Sequence, residues 1–270
     1  MYLCVFIQII IIRMDVSVTQ QGDINTNIQG GIATITFFHP LHNSLPGALL
    51  AKFAQAITNA GTNDEVKVIV LKSAGDRTFC AGASFDELMS IADFDIGKRF
   101  FMGFANVINA CRKCPKLIIG RVQGKAVGGG VGIASSVDYC FATKYASVKL
   151  SELAVGIGPF VVGPAVARKI GSSAMSQLAI DATSWRDAHW AERAGLYAQV
   201  FDSVEDMDVA IDVLLEKLVN SNPEAMRLLK GVFWEGTEDW DTLLERRAEM
   251  SGQLVLSEYS KNAIAQFKKR

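Results

Sequence analysis

The chain has no excess of charge of either sign. Its 27 lysines and arginines stand against 28 aspartates and glutamates, a formal net charge of −1. That excludes the broad basic footprint of a nucleic-acid-binding protein, while leaving room for a local basic patch that holds a small anionic ligand. Cysteine is sparse and odd in number. Cys4, Cys80, Cys111, Cys114 and Cys140 are scattered through 270 residues, which is no disulfide framework. Cys111 and Cys114 form a lone CxxC with no second pair nearby. Two thiols near a helix end closed by Pro115 are therefore preferred to a zinc site. Long apolar runs are missing too. The N-terminal MYLCVFIQIIIIR holds about twelve nearly all-apolar residues, too few to span a bilayer. No basic residue precedes this run and no small-residue cleavage site follows it. Residues 1–13 are read as a non-native extension upstream of a start at Met14, with weak membrane attachment as the alternative. The expectation is a cytoplasmic protein without stable membrane association. Low-complexity tracts and strict repeats are absent.

What the chain does have is apolar surface. Half of its residues are hydrophobic, ample for one large core or two smaller ones. Residues 31–38, 66–72, 116–122, 137–142 and 147–150 read as strands, the first of these from its alternation. A further strand is expected to begin in MDVSVTQQG, residues 14–22. Residues 44–59 form a helical stripe through Leu45, Leu49, Phe53, Ala56 and Ile57, and 96–112 and 130–136 also read as helices. This mixture predicts an α/β core. From about residue 163 the strands are expected to stop. Residues 163–170, 173–181, 187–194, 204–220, 223–232 and 239–262 read as helical, with a capping box from Ser221 to Glu224. The division expected is an α/β core over 14–195 and a helical oligomerisation region over 196–270.

Several motifs resemble sites and fail on inspection. GRVQGKA (120–126) has the wrong spacing for a P-loop and no Ser or Thr after Lys125. GIGPFVVG (156–163) misses the third glycine of a dinucleotide fingerprint. HPLH places His39 and His42 at a turn made by Pro40, with no further metal ligands near, so no metal site is expected. Ser135, Ser136 and the thiols lack a histidine–acid partnership, and His189 reads as a surface residue.

Three segments remain. In FCAGASFDEL (79–88), small residues precede Ser84, and the capping-box spacing of Ser84 and Glu87 predicts a short helix there. In GKAVGGGVGIASS (124–136), glycines 128–130 precede another helix. They permit a sharp turn and close approach, and a helix start presents free N–H groups that favour negative charge. In KLSELAVGIGPF (149–160), Glu152 lies among apolar neighbours, where a carboxyl tends toward a raised pKa suited to proton transfer. Each segment alone is ordinary: a turn, a tight packing site, a surface acid. Their order is more specific, because two turns that each feed a helix can aim two N–H groups at one oxygen beside a glutamate. That is equipment for making an enolate.

On these segments and on NSLPGALL (43–50), VIVLKSAGDRTFCAGASFDEL (68–88), IIGRVQGKAVGGGVGIASSVDYCFAT (118–143) and SVKLSELAVGIGP (147–159), the chain resembles the crotonase superfamily, the enoyl-CoA hydratase/isomerase family. The likeness runs from about residue 14 to the C-terminus. It implies a spiral of ββα units followed by an all-helical C-terminal region, assembled as a homotrimer or homohexamer. It implies an acyl-CoA substrate, coenzyme A entering as part of the thioester and no prosthetic group. By motif position the N–H groups of Ala83 and Gly129 would hold the thioester oxygen. Ala81 would line the coenzyme passage, and Arg77 would approach the coenzyme phosphates. Asp86 stands where hydratases often have lysine. Of the two glutamates that hydratases use, the second matches Glu152, while the first falls at Gly132, which has no side chain. The resemblance therefore implies enoyl-CoA double-bond isomerisation with Glu152 as acid/base. Hydration of a short or branched enoyl-CoA is the first alternative, and a non-catalytic acyl-CoA-binding protein the second. Ser151 and Asp138 are near enough in sequence to be considered for the missing group, though Asp138 occupies a position that usually does structural work. Phe160, Val161 and Val162 replace a polar glycine-rich turn; they either wall the acyl end or pack against the following helix.

Overall fold

A computed structural model describes residues 22–268. The expected extension at 1–13 and the strand expected from 14 to 22 fall almost wholly outside them. Each turn of the chain lays one strand in a large sheet, a shorter one in a small sheet, and then a helix. The large sheet runs β1 (Asp23–Gln29), β2 (Ile32–Phe38), β4 (Val68–Ser73), β7 (Leu117–Val122), β9 (Tyr139–Thr143) and β11 (Gln199–Phe201), in that spatial order. All neighbours are parallel except the β1–β2 hairpin. The short strands β3 (Ser44–Leu45) and β6 (Gly82–Ala83) pair with each other. Strands β5 (Thr78–Cys80), β8 (Lys125–Val127) and β10 (Val148–Lys149) form a third sheet. The helices closing successive turns are α1 (Gly47–Thr62), α2 (Phe85–Ser90) with α3 (Phe94–Lys113), and α4 (Gly129–Ser136).

Parallel strands buried on both faces need apolar side chains at both parities, and β4 shows it. Ile69 and Leu71 point into the main core with α1 and α3, while Val68 and Val70 point to the opposite face. There they meet Met207, Ile211 and Leu215 of α7 (Val204–Val219). The expectation that strands stop near residue 163 is therefore wrong. Gln199–Phe201 is the edge of the main sheet, in parallel register with Phe141–Thr143. Three residues are too few for an alternation to show in sequence.

Local chemistry sets several element ends. The first helix starts at Gly47 and not at Ser44, because Ser44 and Leu45 pair with Gly82 and Ala83 and Pro46 precedes the first turn. Ser84 caps α2 by accepting from the Glu87 N–H. The Glu87 carboxylate, however, accepts from the Gly47 N–H at 2.7 Å, so it ties α2 to α1 and leaves the capping box half made. At α8 (Pro223–Phe233) the cap is Asn222, not Ser221. After α5 (Gly163–Ile180), which breaks at Gly171 (φ 76°), and α6 (Ala188–Arg193), the stretch expected as one helix over 239–262 divides into α9 (Trp240–Leu254) and α10 (Glu258–Lys268).

Two contacts anchor the C-terminal helices. Gly97 of α3 and Gly252 of α9 cross at backbone distance: a Cβ on Gly252 would lie 2.7 Å from the Lys98 nitrogen. The buried Asp138 carboxylate accepts from Lys230 Nζ (2.7 and 2.9 Å), Trp234 Nε1 (3.1 Å) and the Ile118 N–H (2.7 Å). Asp138 thus does structural work, as its position suggested, and is committed away from Glu152. Cys111 and Cys114 are buried at the end of α3, and burial pushes the Cys111 thiol up to about 12. His39 is buried beside Ser44, and His189 is exposed beside Glu192. No cluster of three or more metal-ligating side chains occurs among the described residues, nor does any of their helices have the length and apolarity to cross a membrane.

Candidate active site

The three segments singled out in sequence converge on one cleft. It is lined by Ala81, Gly82 and Ala83 from the first, Val127, Gly128 and Gly129 from the second, and Ser151 and Glu152 from the third. The first two turns touch through their backbones. A Cβ on Gly82 would sit 2.7 Å from the Val127 carbonyl and 3.4 Å from the Gly129 nitrogen. Only glycine allows this approach, and Gly82 also holds a positive φ of 86°.

Ala83 and Gly129 bring backbone N–H groups to this junction. In the β3–β6 pair, the Ser84 N–H donates to the Leu45 carbonyl. Successive residues of a strand turn their N–H groups to opposite edges, so the N–H of Ala83 faces away from β3. Gly129 is the first residue of α4, one of the positions whose N–H has no partner within its helix. Its neighbour Gly128 turns the chain at φ 52°, ψ −115°, with its own N–H donated to the Lys149 carbonyl.

Glu152 closes the site. Its carbonyl accepts from the N–H groups of Val155 and Ile157, fixing the turn that carries it. A Cβ on Gly128 would lie 2.9 Å from Glu152 Oε1, so the carboxylate rests against bare backbone. The residue is partly exposed as a whole, but Oε2 is buried and has no hydrogen-bond partner. Desolvation at that tip, opposed only by a bond from its own amide, raises the carboxyl to about 7. A carboxyl in this state gives up or takes a proton near neutral pH.

Most of the remaining lining is apolar. Phe85, Leu88, Phe101, Phe104, Phe160 and Val162 wall the cleft. Apart from Glu152, its only polar side chains among the described residues are Ser151 and Ser251, the latter on α9 with its hydroxyl donated to the Arg247 carbonyl. Sequence reading missed Ser251 and the phenylalanines of α3, whose helical stripe looks like ordinary core. Phe160, Val161 and Val162 do wall the cleft, and Val162 also packs over Gly132: a Cβ there would meet Val162 Cγ1 at 2.5 Å. Arg77 is not brought to the cleft; it is exposed in the loop between β4 and β5.

A family model described as enoyl-CoA hydratase/isomerase matches residues 27–270. The chain is 29% identical over 242 residues to a short-chain-enoyl-CoA hydratase of Clostridium acetobutylicum, covering 88% of this chain and 92% of that one. It is 26% identical over 265 residues to a peroxisomal Delta(3,5)-Delta(2,4)-dienoyl-CoA isomerase of Arabidopsis thaliana, covering 92% and 94%. Among solved structures, an enoyl-CoA hydratase from Bacillus halodurans superposes with a TM-score of 0.83 at 20% identity, covering 90% of this chain and 99% of that one. That likeness shows the fold.

Proposed function

The chain belongs to the enoyl-CoA hydratase/isomerase family, with the crotonase fold, and on that premise we propose that it shifts the double bond of an enoyl-CoA thioester with Glu152 as the single acid/base. The observation that carries this reading is the Glu152 carboxyl: buried and without a hydrogen-bond partner at Oε2, raised to about 7, and alone in being ionisable among the described side chains of the cleft.

A 3-enoyl thioester enters with its carbonyl oxygen at the junction of the two turns. The Glu152 carboxylate takes a proton from C2. The electron pair released forms a C1–C2 double bond, and charge moves onto the thioester oxygen. The N–H groups of Ala83 and Gly129 hold that charge; such a donor contributes roughly 2.7–4 kcal/mol in known oxyanion holes. Glu152 then returns its proton to C4, the double bond settles between C2 and C3, and the carboxylate is regenerated. No prosthetic group is needed, and coenzyme A is carried by the substrate, with Ala81 along its passage and Arg77 toward its phosphates. The working form in this reading is a cytoplasmic homotrimer or homohexamer. Leu228, Leu229, Val232 and Phe233 of α8, exposed in the single chain, offer apolar surface for its contacts.

Hydration is the second reading. It is favoured by the name of the bacterial relative and by the hydroxyls of Ser151 and Ser251 in the cleft. The deciding experiment incubates a short 3-enoyl-CoA with the protein and with Glu152→Gln, and resolves the products by mass. A shifted double bond at unchanged mass, lost in the variant, is the expected result. A product heavier by one water would establish hydration instead. Turnover and proton exchange unchanged by Glu152→Gln would remove the mechanism, and absence of both from the unmodified protein would leave an acyl-CoA-binding protein.

A further inference from the structure

We propose that Val162 seals the Glu152 carboxyl from water on the α4 side, and so makes the site one that moves a proton within the substrate. The inference rests on the isomerisation reading and adds to it the residue that decides between proton relocation and water chemistry.

Gly132 of α4 donates its N–H at 3.2 Å to the carbonyl of Gly128, the residue that caps the helix. Both are bare, and each is covered by a different neighbour. Glu152 Oε1 lies where a Cβ on Gly128 would come within 2.9 Å. Val162 lies where a Cβ on Gly132 would come within 2.5 Å of Cγ1 and 2.8 Å of Cβ. The valine and the carboxylate thus cover two glycines at the start of α4, and both line the same cleft. The position that could hold a second polar group beside Glu152 is filled with hydrocarbon.

This filling is firm. Val162 is 4% exposed, and as the residue before α5 it accepts the Val166 N–H on its carbonyl. A water held at this spot needs two to four polar partners and room for itself. Val162 supplies neither, and the glycine beneath it has no side chain to offer. Oε2 is itself buried. With an acyl chain closing the open side of the cleft, the proton on Glu152 has no water through which to exchange.

The experiment is isomerisation of a 3-enoyl-CoA in D2O, with deuterium at C4 of the product read by mass spectrometry or NMR over a single pass. The unmodified protein is expected to carry most of the proton across without exchange. Val162→Ala opens the space and is expected to raise deuterium incorporation several-fold, with a water adduct appearing beside the isomer. The isosteric Val162→Thr keeps the packing while giving a water a partner. It is expected to raise incorporation too, and it keeps the test open if the alanine variant does not fold. Full labelling by the unmodified protein, or equal labelling in every folded variant, would overturn the seal. Absence of double-bond migration in the unmodified protein would instead overturn the isomerisation reading. The seal is then read alone, from exchange at C2 of a saturated acyl-CoA in D2O: faster exchange in the variants supports it, and an unchanged rate overturns it.

Discussion

Replacing Glu152 by glutamine should stabilise the protein, and by an amount that depends on pH. Burial raises this carboxyl from 4.5 to about 7. Each tenfold change in proton affinity between folded and unfolded states corresponds to roughly 1.4 kcal/mol, so the whole displacement amounts to about 3 kcal/mol. The sign follows from proton counting. Between the two values the folded state holds a proton that the unfolded state has released, so stability falls as pH rises through this window. Below pH 4.5 both states are protonated and the cost is absent; above 7 both are ionised and it is complete. Glutamine has a similar shape and never ionises, so it escapes the cost. At pH 5 Glu152→Gln should unfold close to the unmodified protein. At pH 8 it should be more stable by about 3 kcal/mol, a rise in Tm of roughly 5 °C for a chain of this length.

Denaturant unfolding at a fixed protomer concentration, repeated from pH 5 to pH 8, measures this difference directly, since a shared association equilibrium then affects both proteins alike. Curves that stay parallel across the range would refute the claim that the carboxyl tip is desolvated, whatever the activity. The same group has a kinetic signature. As a base it must be ionised, so kcat/KM should fall about tenfold per pH unit below a midpoint near 7. Stability and activity therefore run in opposite directions with pH: the ionised form that works is the form the fold tolerates least.

Three further outcomes are expected. Gly128→Ala places a Cβ 2.9 Å from Glu152 Oε1 on a residue at φ 52°. The backbone strain should cost roughly 1–2 kcal/mol in denaturant unfolding, and displacement of the carboxylate should lower kcat on the order of a hundredfold. Lys230→Met leaves the Asp138 carboxylate buried without its ammonium partner, so thermal and denaturant unfolding should show a loss of about 3–5 kcal/mol. Arg77→Ala, at an exposed loop position, should leave stability within about 0.5 kcal/mol; if the guanidinium meets the coenzyme phosphates, steady-state kinetics should show a raised KM at unchanged kcat.

What sequence could and could not disclose follows from the distance over which each feature is decided. The run of Val68 to Leu71, the Ser84 cap and the glycines before α4 are determined by neighbours a few residues away, and they are legible at that range. The polar strand Asp23–Gln29 is not, because it carries no apolar alternation and pairs only with β2 at the sheet edge. Glu87 shows the same limit within a motif that was read correctly: its spacing marks the helix start, but its carboxylate goes to Gly47, forty residues back. At the site, Glu152 is legible from its residue type and surroundings. By the family resemblance Gly132 reads as a missing carboxylate, which leaves open whether another group enters the gap. Only packing answers that, because the residue that fills it, Val162, lies thirty positions on and looks in sequence like any apolar residue ahead of a helix. A glycine in place of an acid can mark a vacancy that water enters or a surface that a neighbour covers. The two cases call for opposite chemistry from the same glutamate, and here the choice rests on a valine whose own sequence context carries no sign of it.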